Sequence, residues 1–416
     1  MNTRYTLVNP FYKSTFIWVT FLFFLWGIPN NLNGILIKQF MKSFELSIFQ
    51  ASLVQSVFYI GYFVFALPSA MVMRKYSYKA GLISGLLLFA LGCLLFWPAA
   101  LLGSYSFFLF SLFIIASGLT FLETGANPFI VELGDEQTAE RRLNLSQAFN
   151  PIGSILGVLI GTVFVFSGTD IDQAMIENMK NTGVYANYLQ EETLRVVRPY
   201  LCLAVLACLW ALLASRIHFP LKKKEEVKQK IQVKHSVSFL IKDRAFMKGV
   251  LALFLYVGAQ VGTWSYFIFY VQEYAGVDEK MAGYMLSGTL MAFALGRLSA
   301  TWFMKRIFPA VLMKIYSFAN IILVGACIVF TDVFGMWCLL LTSFFMSVMY
   351  PTLFSVSVKG LGEHTKIGGS ILVMAILGGA LLTPLMGFIM EISNVAYAMF
   401  IPLGAYMYIF YYSRKQ

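Results

Sequence analysis

The stretch FFLFSLFIIASGLTFLETGANPFIV, residues 107–131, decides the fold. Up to Thr120 it is apolar apart from Ser111 and Ser117. About 20 such residues, rising about 1.5 Å each, cross the hydrocarbon core of a bilayer. The segment therefore reads as a membrane helix, and it carries a carboxylate, Glu123, near its middle. Even permissive scales charge about 2.5 to 3.5 kcal/mol for an ionised side chain at that depth. A carboxyl removed from water favours its neutral form, so it can take up and release a proton as its surroundings alternate between wet and closed. Glu123 is accordingly the candidate proton-coupling residue, with a permanently protonated structural glutamate as the bland alternative.

The rest of the chain agrees with a bilayer. Of its 416 residues, 59% are hydrophobic, 17% aromatic and only 12% charged, too little polar surface for a soluble globule. Apolar segments of spanning length recur at 15–38, 49–73, 80–97, 106–131, 143–167, 200–219, 246–270, 281–304, 311–330, 335–358, 368–390 and 396–412. The expected fold is an all-α membrane protein of twelve transmembrane helices. With the N-terminus inside, most of the 31 basic residues lie on the cytoplasmic side. Lys38, Lys42, Lys180, Arg195, Arg198 and Lys280 then fall outside, and Arg297 lies within a span. Both termini are expected to be cytoplasmic, and the formal charge of +11 reflects topology, with no call for nucleic acid.

The first span is too long for the apolar region of a cleaved signal and should stay in the mature chain. The five cysteines, Cys93, Cys202, Cys208, Cys327 and Cys338, all fall in apolar spans without metal-ligand spacing, and are read as free buried thiols. His218, His235 and His364 map to cytoplasmic ends or loops, which leaves no histidine relay in the spans. No HExxH, phosphate-binding loop or Cys/His cluster occurs, so ATP-driven transport and metal-dependent enzymology lose support. The expectation is no catalytic residue, no metal and no cofactor other than a proton.

The basic segment around KKKEEVKQK divides the spans six and six. It sets expected domains of 1–219, an N-terminal six-helix bundle, 220–245, a cytoplasmic linker, and 246–416, a C-terminal bundle. GSILGVLIG from Gly153 and GSILVMAILGG from Gly369 sit six spans apart, and MRK at Met73 answers MKR at Met304. These matches suggest a duplicated unit, the plan of a transporter that works by alternating access. The polar stretch 168–199 is read as an outer loop with short surface helices around 173–180 and 188–197.

Polar residues inside the spans fall into stripes. Thr120, Glu123 and Asn127 share one face of span four; Gln147, Asn150 and Ser154 share one of span five, with Asn144 a turn earlier. Span one carries Asn30 and Asn33 in GIPNNLNG, where Pro29, Gly27 and Gly34 should weaken the helix, and span two carries Gln55, Tyr59 and Tyr62. The second half is more aromatic, with Tyr256, Gln260, Thr263 and Trp264 on span seven, Phe293 on span eight, and Ser343, Ser347 and Tyr350 on span ten. Amides on one wall and rings on another suit a sugar, whose hydroxyls take hydrogen bonds while its C–H face lies on the aromatics. The candidate substrate-binding residues are Asn30, Asn33, Gln55, Tyr59, Asn127, Gln147, Asn150, Gln260, Trp264, Phe293 and Tyr350. Against this, polar residues in membrane helices often bond a neighbouring helix, aromatics often only pack, and Arg297 can snorkel to the interface.

NNLNGILIKQF, QSVFYIGYF, FLETGANPF, RLNLSQAFN, YVGAQVGTWSY, GRLSATW and YPTLFS resemble, in order and spacing, the L-fucose permease family of proton-coupled sugar symporters within the major facilitator superfamily. The likeness covers essentially the whole chain. It implies two pseudo-symmetric six-helix bundles and a central sugar site. It also places the family's protonatable glutamate on Glu123, its polar cavity residues on Gln147 and Asn150, its aromatic wall on Phe293 and Tyr350, and a match on Gln260. One departure stands out: where the family reads N-x-L-N-D-I-L, this chain has Gly34, so the polarity of span one rests on Asn30, Asn31 and Asn33.

The expected function is uptake of L-fucose or a similar hexose with a proton. A facilitator or symporter for glucose, galactose or an amino sugar is the alternative, as is a non-transporting membrane sensor docking through its linker. The expected partners are a small sugar and the lipid bilayer, with a single chain as the functional unit in a bacterial inner membrane.

Overall fold

In the computed structural model, residues 8, 10–134, 139–168, 173–217, 219, 233–304, 306–359, 361 and 364–414 are described. Residues 220–232 of the expected linker, and His218, lie outside the described residues. All regular structure among the described residues is helical. The first four helices are α1 Lys13–Ser43, α2 Ile48–Lys75, α3 Tyr78–Leu101 and α4 Tyr105–Glu132. Span five is built from α5 Ala139–Gln147 and α6 Phe149–Ile160, closed by a π-helical turn over Gly161–Val165. The short α7 Gln173–Asn181 precedes α8 Tyr185–Ala214, and α9 Val233–Lys242 precedes α10 Arg244–Ala275. Next come α11 Glu279–Phe303, α12 Pro309–Val329, and the pairs α13 Val333–Met346 with α14 Met349–Val358 and α15 Thr365–Met374 with α16 Leu377–Ile392. The single turn α17 Val395–Ala398 leads into α18 Phe400–Ser413.

Eleven segments among the described residues are long and apolar enough to cross a bilayer. The remaining expected span is α11, 25 residues long, whose apolar run is interrupted by Arg297. Helices overrun the apolar edges that sequence patterning picks out, because polar residues cap their orphan backbone N–H groups. Ser77 accepts from Ala80 N, Ser104 from Phe107 N, Asp243 from Ala245 N and Phe246 N, Asp278 from Met281 N and Asp332 from Gly335 N.

Three local expectations are corrected. Span one does not break at GIPNNLNG; α1 runs unbroken through Pro29, since one proline removes a single ladder bond and the flanking turns persist. Interruptions instead fall in spans five, ten, eleven and twelve. The expected surface helix at 188–197 is the first part of α8, and it is buried at Glu192, Thr193, Val196 and Val197. Glu192, only 2% exposed, accepts from Gln39 Nε2 at 2.9 Å and lies 3.5 Å from Lys42 Nζ and 3.4 Å from Arg195 Nε, which turns one face of that polar stretch inward. Nor are all the thiols buried: Cys93, Cys327 and Cys338 are, but Cys208 is half-buried and Cys202 exposed.

The chain forms two compact units, residues 1–45 with 60–223, and residues 46–59 with 224–416. In the first, α1 packs on α6, and α3 packs on α4 and α8. The α1–α6 contact is backbone to backbone: a Cβ on Gly153 would collide with the Phe24 carbonyl oxygen and one on Gly157 with that of Ile28. In the second unit α10 packs on α16, and α12 on α13 and α18. There a Cβ on Gly378 would meet the Phe254 carbonyl oxygen of α10. Numbered by span, the pairings one with five, three with four and three with six recur as seven with eleven, nine with ten and nine with twelve. Without a hydrophobic drive between helices in lipid, small residues at such crossings let dispersion contacts hold the pair.

Candidate functional site

Within the first unit, α1, α2, α4 and α5 bring a set of polar side chains together. Gly61 lets α2 approach α4 closely: a Cβ there would lie 2.9 Å from Ala116 Cβ and 3.1 Å from the Phe113 carbonyl oxygen. The next residue, Tyr62, is 5% exposed, and its hydroxyl donates to Asn30 Oδ1 of α1 at 3.3 Å. Glu123 lies on α4, one turn before Asn127. One turn along α4, Asn127 Nδ2 donates to the Glu123 carbonyl at 3.0 Å, and Asn127 Oδ1 accepts from Gln147 Nε2 of α5 at 3.1 Å. The hydrogen bonds thus form two sets, Tyr62 with Asn30, and Gln147 with Asn127 and the Glu123 carbonyl.

Two predicted members of this wall behave differently. Asn150 Nδ2 donates to the Phe23 carbonyl of α1 at 3.2 Å, so its amide nitrogen ties α6 to α1 at the glycine crossing. Asn33 is fully buried, and neither amide atom has a hydrogen-bond partner among the described residues. The side chain of Asn144 lies outside those described.

In the second unit the predicted residues divide into two groups. Gln55, 3% exposed, donates from Nε2 to Ser265 Oγ of α10 at 2.9 Å, and the Tyr59 ring lies where a Cβ on Gly379 of α16 would come within 2.9 Å of it. The other group is aromatic. Trp264 Nε1 donates to Ser343 Oγ of α13 at 3.1 Å, and its ring meets Phe293 of α11 edge-on at 5.2 Å between centroids. Tyr350 of α14 stands 6.3 Å from the Tyr256 ring and stacks with Phe354, while Tyr256 donates its hydroxyl to the Met346 carbonyl at 3.0 Å. Gln260 is half-buried on α10, one turn before Trp264.

Arg297 corrects another expectation. Instead of reaching for the interface, its guanidinium stands over the Phe293 ring with Cζ 4.8 Å from the centroid. An aromatic face stabilises a cation that has left water, by about 2 kcal/mol or more when desolvated. Ser265 was missed by sequence reasoning; it carries no signal beyond its place on a helix already marked polar.

Comparison with known proteins settles the family. Residues 17–384 match the family model described as Major Facilitator Superfamily. The chain belongs to that superfamily. It is 40% identical to the L-fucose-proton symporter of Escherichia coli K12 over 94% of this chain and 91% of the relative. It is 33% identical to a putative glucose/galactose transporter of Helicobacter pylori 26695, covering 95% of each. Among solved structures, the transporter FucP in its outward conformation aligns with a TM-score of 0.74 and 40% identity, over 97% of this chain and 99% of that one. The all-helical multi-pass membrane fold is therefore shared with sugar transporters, and the chain is a transporter and not an enzyme.

Proposed function

We propose that the protein takes up L-fucose or a similar hexose together with a proton, by alternating access, and that Glu123 carries the proton. The observation that carries the reading is the placement of Glu123 one turn from Asn127, which bonds the Glu123 carbonyl and Gln147, with Asn30 held by Tyr62 in the same unit, so that amides suited to sugar hydroxyls accompany the acid. In the second unit, Trp264, Phe293 and Tyr350 supply ring faces for the apolar side of a sugar, and Gln55 and Gln260 supply amides. With the carboxyl protonated, no net charge has to be moved through a dry interior. After release of the sugar, water reaching Glu123 lets the proton leave. We take a single chain as the functional unit, placed in a bacterial inner membrane with both termini in the cytoplasm and with 1–219 and 246–416 as the moving halves.

The test is transport in proteoliposomes. Glu123→Gln should abolish accumulation of labelled L-fucose under an imposed pH gradient while leaving sugar-for-sugar exchange in place. Accumulation against a gradient by that variant removes Glu123 from coupling.

Gly34, standing where the L-fucose permeases carry an aspartate, favours a second reading in which the substrate is glucose or galactose, the sugars in the printed name of the Helicobacter pylori relative. Adding sugars one at a time to a lightly buffered cell suspension separates the two. Alkalinisation of the medium with L-fucose alone supports the first, and alkalinisation with glucose or galactose the second.

A further inference from the structure

We propose that the interior of the second unit binds ordered water, held between Thr263 of α10, Asn320 of α12 and Tyr406 of α18. All three side chains are buried, none more than 1% exposed. Thr263 Oγ1, both amide atoms of Asn320 and the Tyr406 hydroxyl have no hydrogen-bond partner among the described residues. A buried polar group without a partner is costly in a membrane-spanning bundle, because lipid supplies none. Three of them, on three helices that pack together, point to a small ligand that bonds them all.

Contacts on either side set the three groups at one depth. α10 and α12 each pack on α13 and α18, so the four helices close a cycle around a common interior. On α10, Tyr256, Thr263 and Tyr270 recur every seventh residue and share one face, since seven residues make about two turns. The outer two are bonded: Tyr256 donates to the Met346 carbonyl at 3.0 Å, and Tyr270 to the Cys327 carbonyl of α12 at 2.6 Å. Thr263 lies seven residues before Tyr270, and Asn320 lies seven before Cys327. The two helices are separated in the chain by α11 alone and run the same way, so Thr263 and Asn320 stand level. On α18, Phe410 meets Phe318 of α12 with 5.6 Å between ring centroids. That brings Tyr406, one turn from Phe410, to within about a turn of the depth of Asn320.

The chemistry of the groups selects the ligand. Charged residues of these helices stand away from them: Arg244, Lys248 and Glu273 on α10 and Lys314 on α12 lie about 9 Å or more along the helix axis from Thr263 or Asn320. α13 and α18 contain no charged residue, and Arg297 of α11 is turned to Phe293. Two hydroxyls and an amide offer donors and acceptors without net charge. They suit a neutral molecule that donates and accepts at once, and a buried water takes two to four such partners. Water there ties the middle of α10, the helix that carries Gln260 and Trp264, to α12 and α18.

The experiment combines thermal unfolding of the detergent-solubilised chain with labelling of Tyr406. Asn320→Leu keeps the volume and removes the amide. With water bridging the three groups, this variant strands two hydroxyls and should unfold about 2–4 °C lower. An amide that is merely unpaired would instead give a higher unfolding temperature when an apolar side chain replaces it, and that rise refutes the proposal. Thr263→Val and Tyr406→Phe should each lower the temperature too. The triple variant, with a dry apolar interior, should lose less than the three single losses together, because the groups share one ligand; additive losses rule out the sharing. X-ray radiolysis reads the ligand itself. Hydroxyl radicals formed from bound water should oxidise Tyr406 despite its burial, severalfold more in the unmodified protein than in Asn320→Leu. No oxidation of Tyr406 in the unmodified protein overturns the assignment, and that measurement decides alone should Asn320→Leu fail to insert. Replacing choline chloride by sodium chloride should leave the unfolding temperature unchanged; a rise with sodium that Thr263→Val abolishes would give the site to a cation and not to water.

Discussion

At the level of single residues, the aromatic group of the second unit makes a sharp prediction. Phe293 has two duties in the structure, an edge contact with Trp264 and a face under the Arg297 guanidinium. Phe293→Leu keeps apolar volume but removes the π-face, so the KM for L-fucose should rise about three- to tenfold, in line with losing an interaction of about 1 kcal/mol. Unchanged kinetics would assign Phe293 to packing alone. Glu192 invites a test of stability, not transport. It is the acceptor for Gln39, Lys42 and Arg195, and Glu192→Ala leaves Gln39, fully buried, without the carboxylate it bonds. Detergent-solubilised Glu192→Ala should unfold at a lower temperature, by an amount equivalent to about 1–3 kcal/mol. Exchange by the surviving fraction should be near normal, because none of these groups belongs to the two hydrogen-bonded sets that hold Asn30, Asn127 and Gln147. A thermal unfolding curve equal to that of the unmodified protein would show the cluster to be stabilising nothing.

At the level of elements, helix crossings explain why glycine matters at some positions and not others. Gly153 of α6 touches the backbone of α1 and Gly378 of α16 that of α10, whereas Gly325 of α12 has nothing within 4 Å of an added Cβ. Gly153→Ala and Gly378→Ala should each lower the thermal unfolding temperature, with overpacking costing about 1–3 kcal/mol. Gly325→Ala should leave it unchanged or raise it slightly, since alanine suits a helix interior better by roughly 1 kcal/mol. The repeat GSIL drew attention to Gly153 and Gly369, and only the first marks a crossing; in the second unit the contact falls on Gly378, in the motif's trailing glycines. A short sequence match finds the related helix, while the residue that touches is set by how the helix is rotated. Pro29 teaches the same lesson. Its effect on α1 depends on what surrounds the missing hydrogen bond, and α1 continues through it.

At the level of the whole molecule, the charge distribution makes its own prediction: reporter fusions at either end of the chain should be active only as cytoplasmic reporters, because most basic residues then stay on the inner side. A periplasmic signal from either terminus would invert the topology. The amino-acid sequence by itself determined that this is a helical membrane protein with repeated halves and a lone acid in an apolar span, because lipid forces every backbone polar group into a helix and makes each intramembrane charge conspicuous. It also showed Gln147, Asn127 and Glu123 as stripes at helical spacing. What only the tertiary structure decided is which stripes meet. Tyr62 bonds Asn30, Gln147 bonds Asn127 beside Glu123, Asn33 is buried without a hydrogen-bond partner among the described residues, Arg297 turns to Phe293, and the polar stretch before Pro199 buries one face. Periodicity fixes the face a side chain occupies within its own helix, but its partners depend on how neighbouring helices are rotated and staggered, and those follow from packing contacts between residues far apart in the chain.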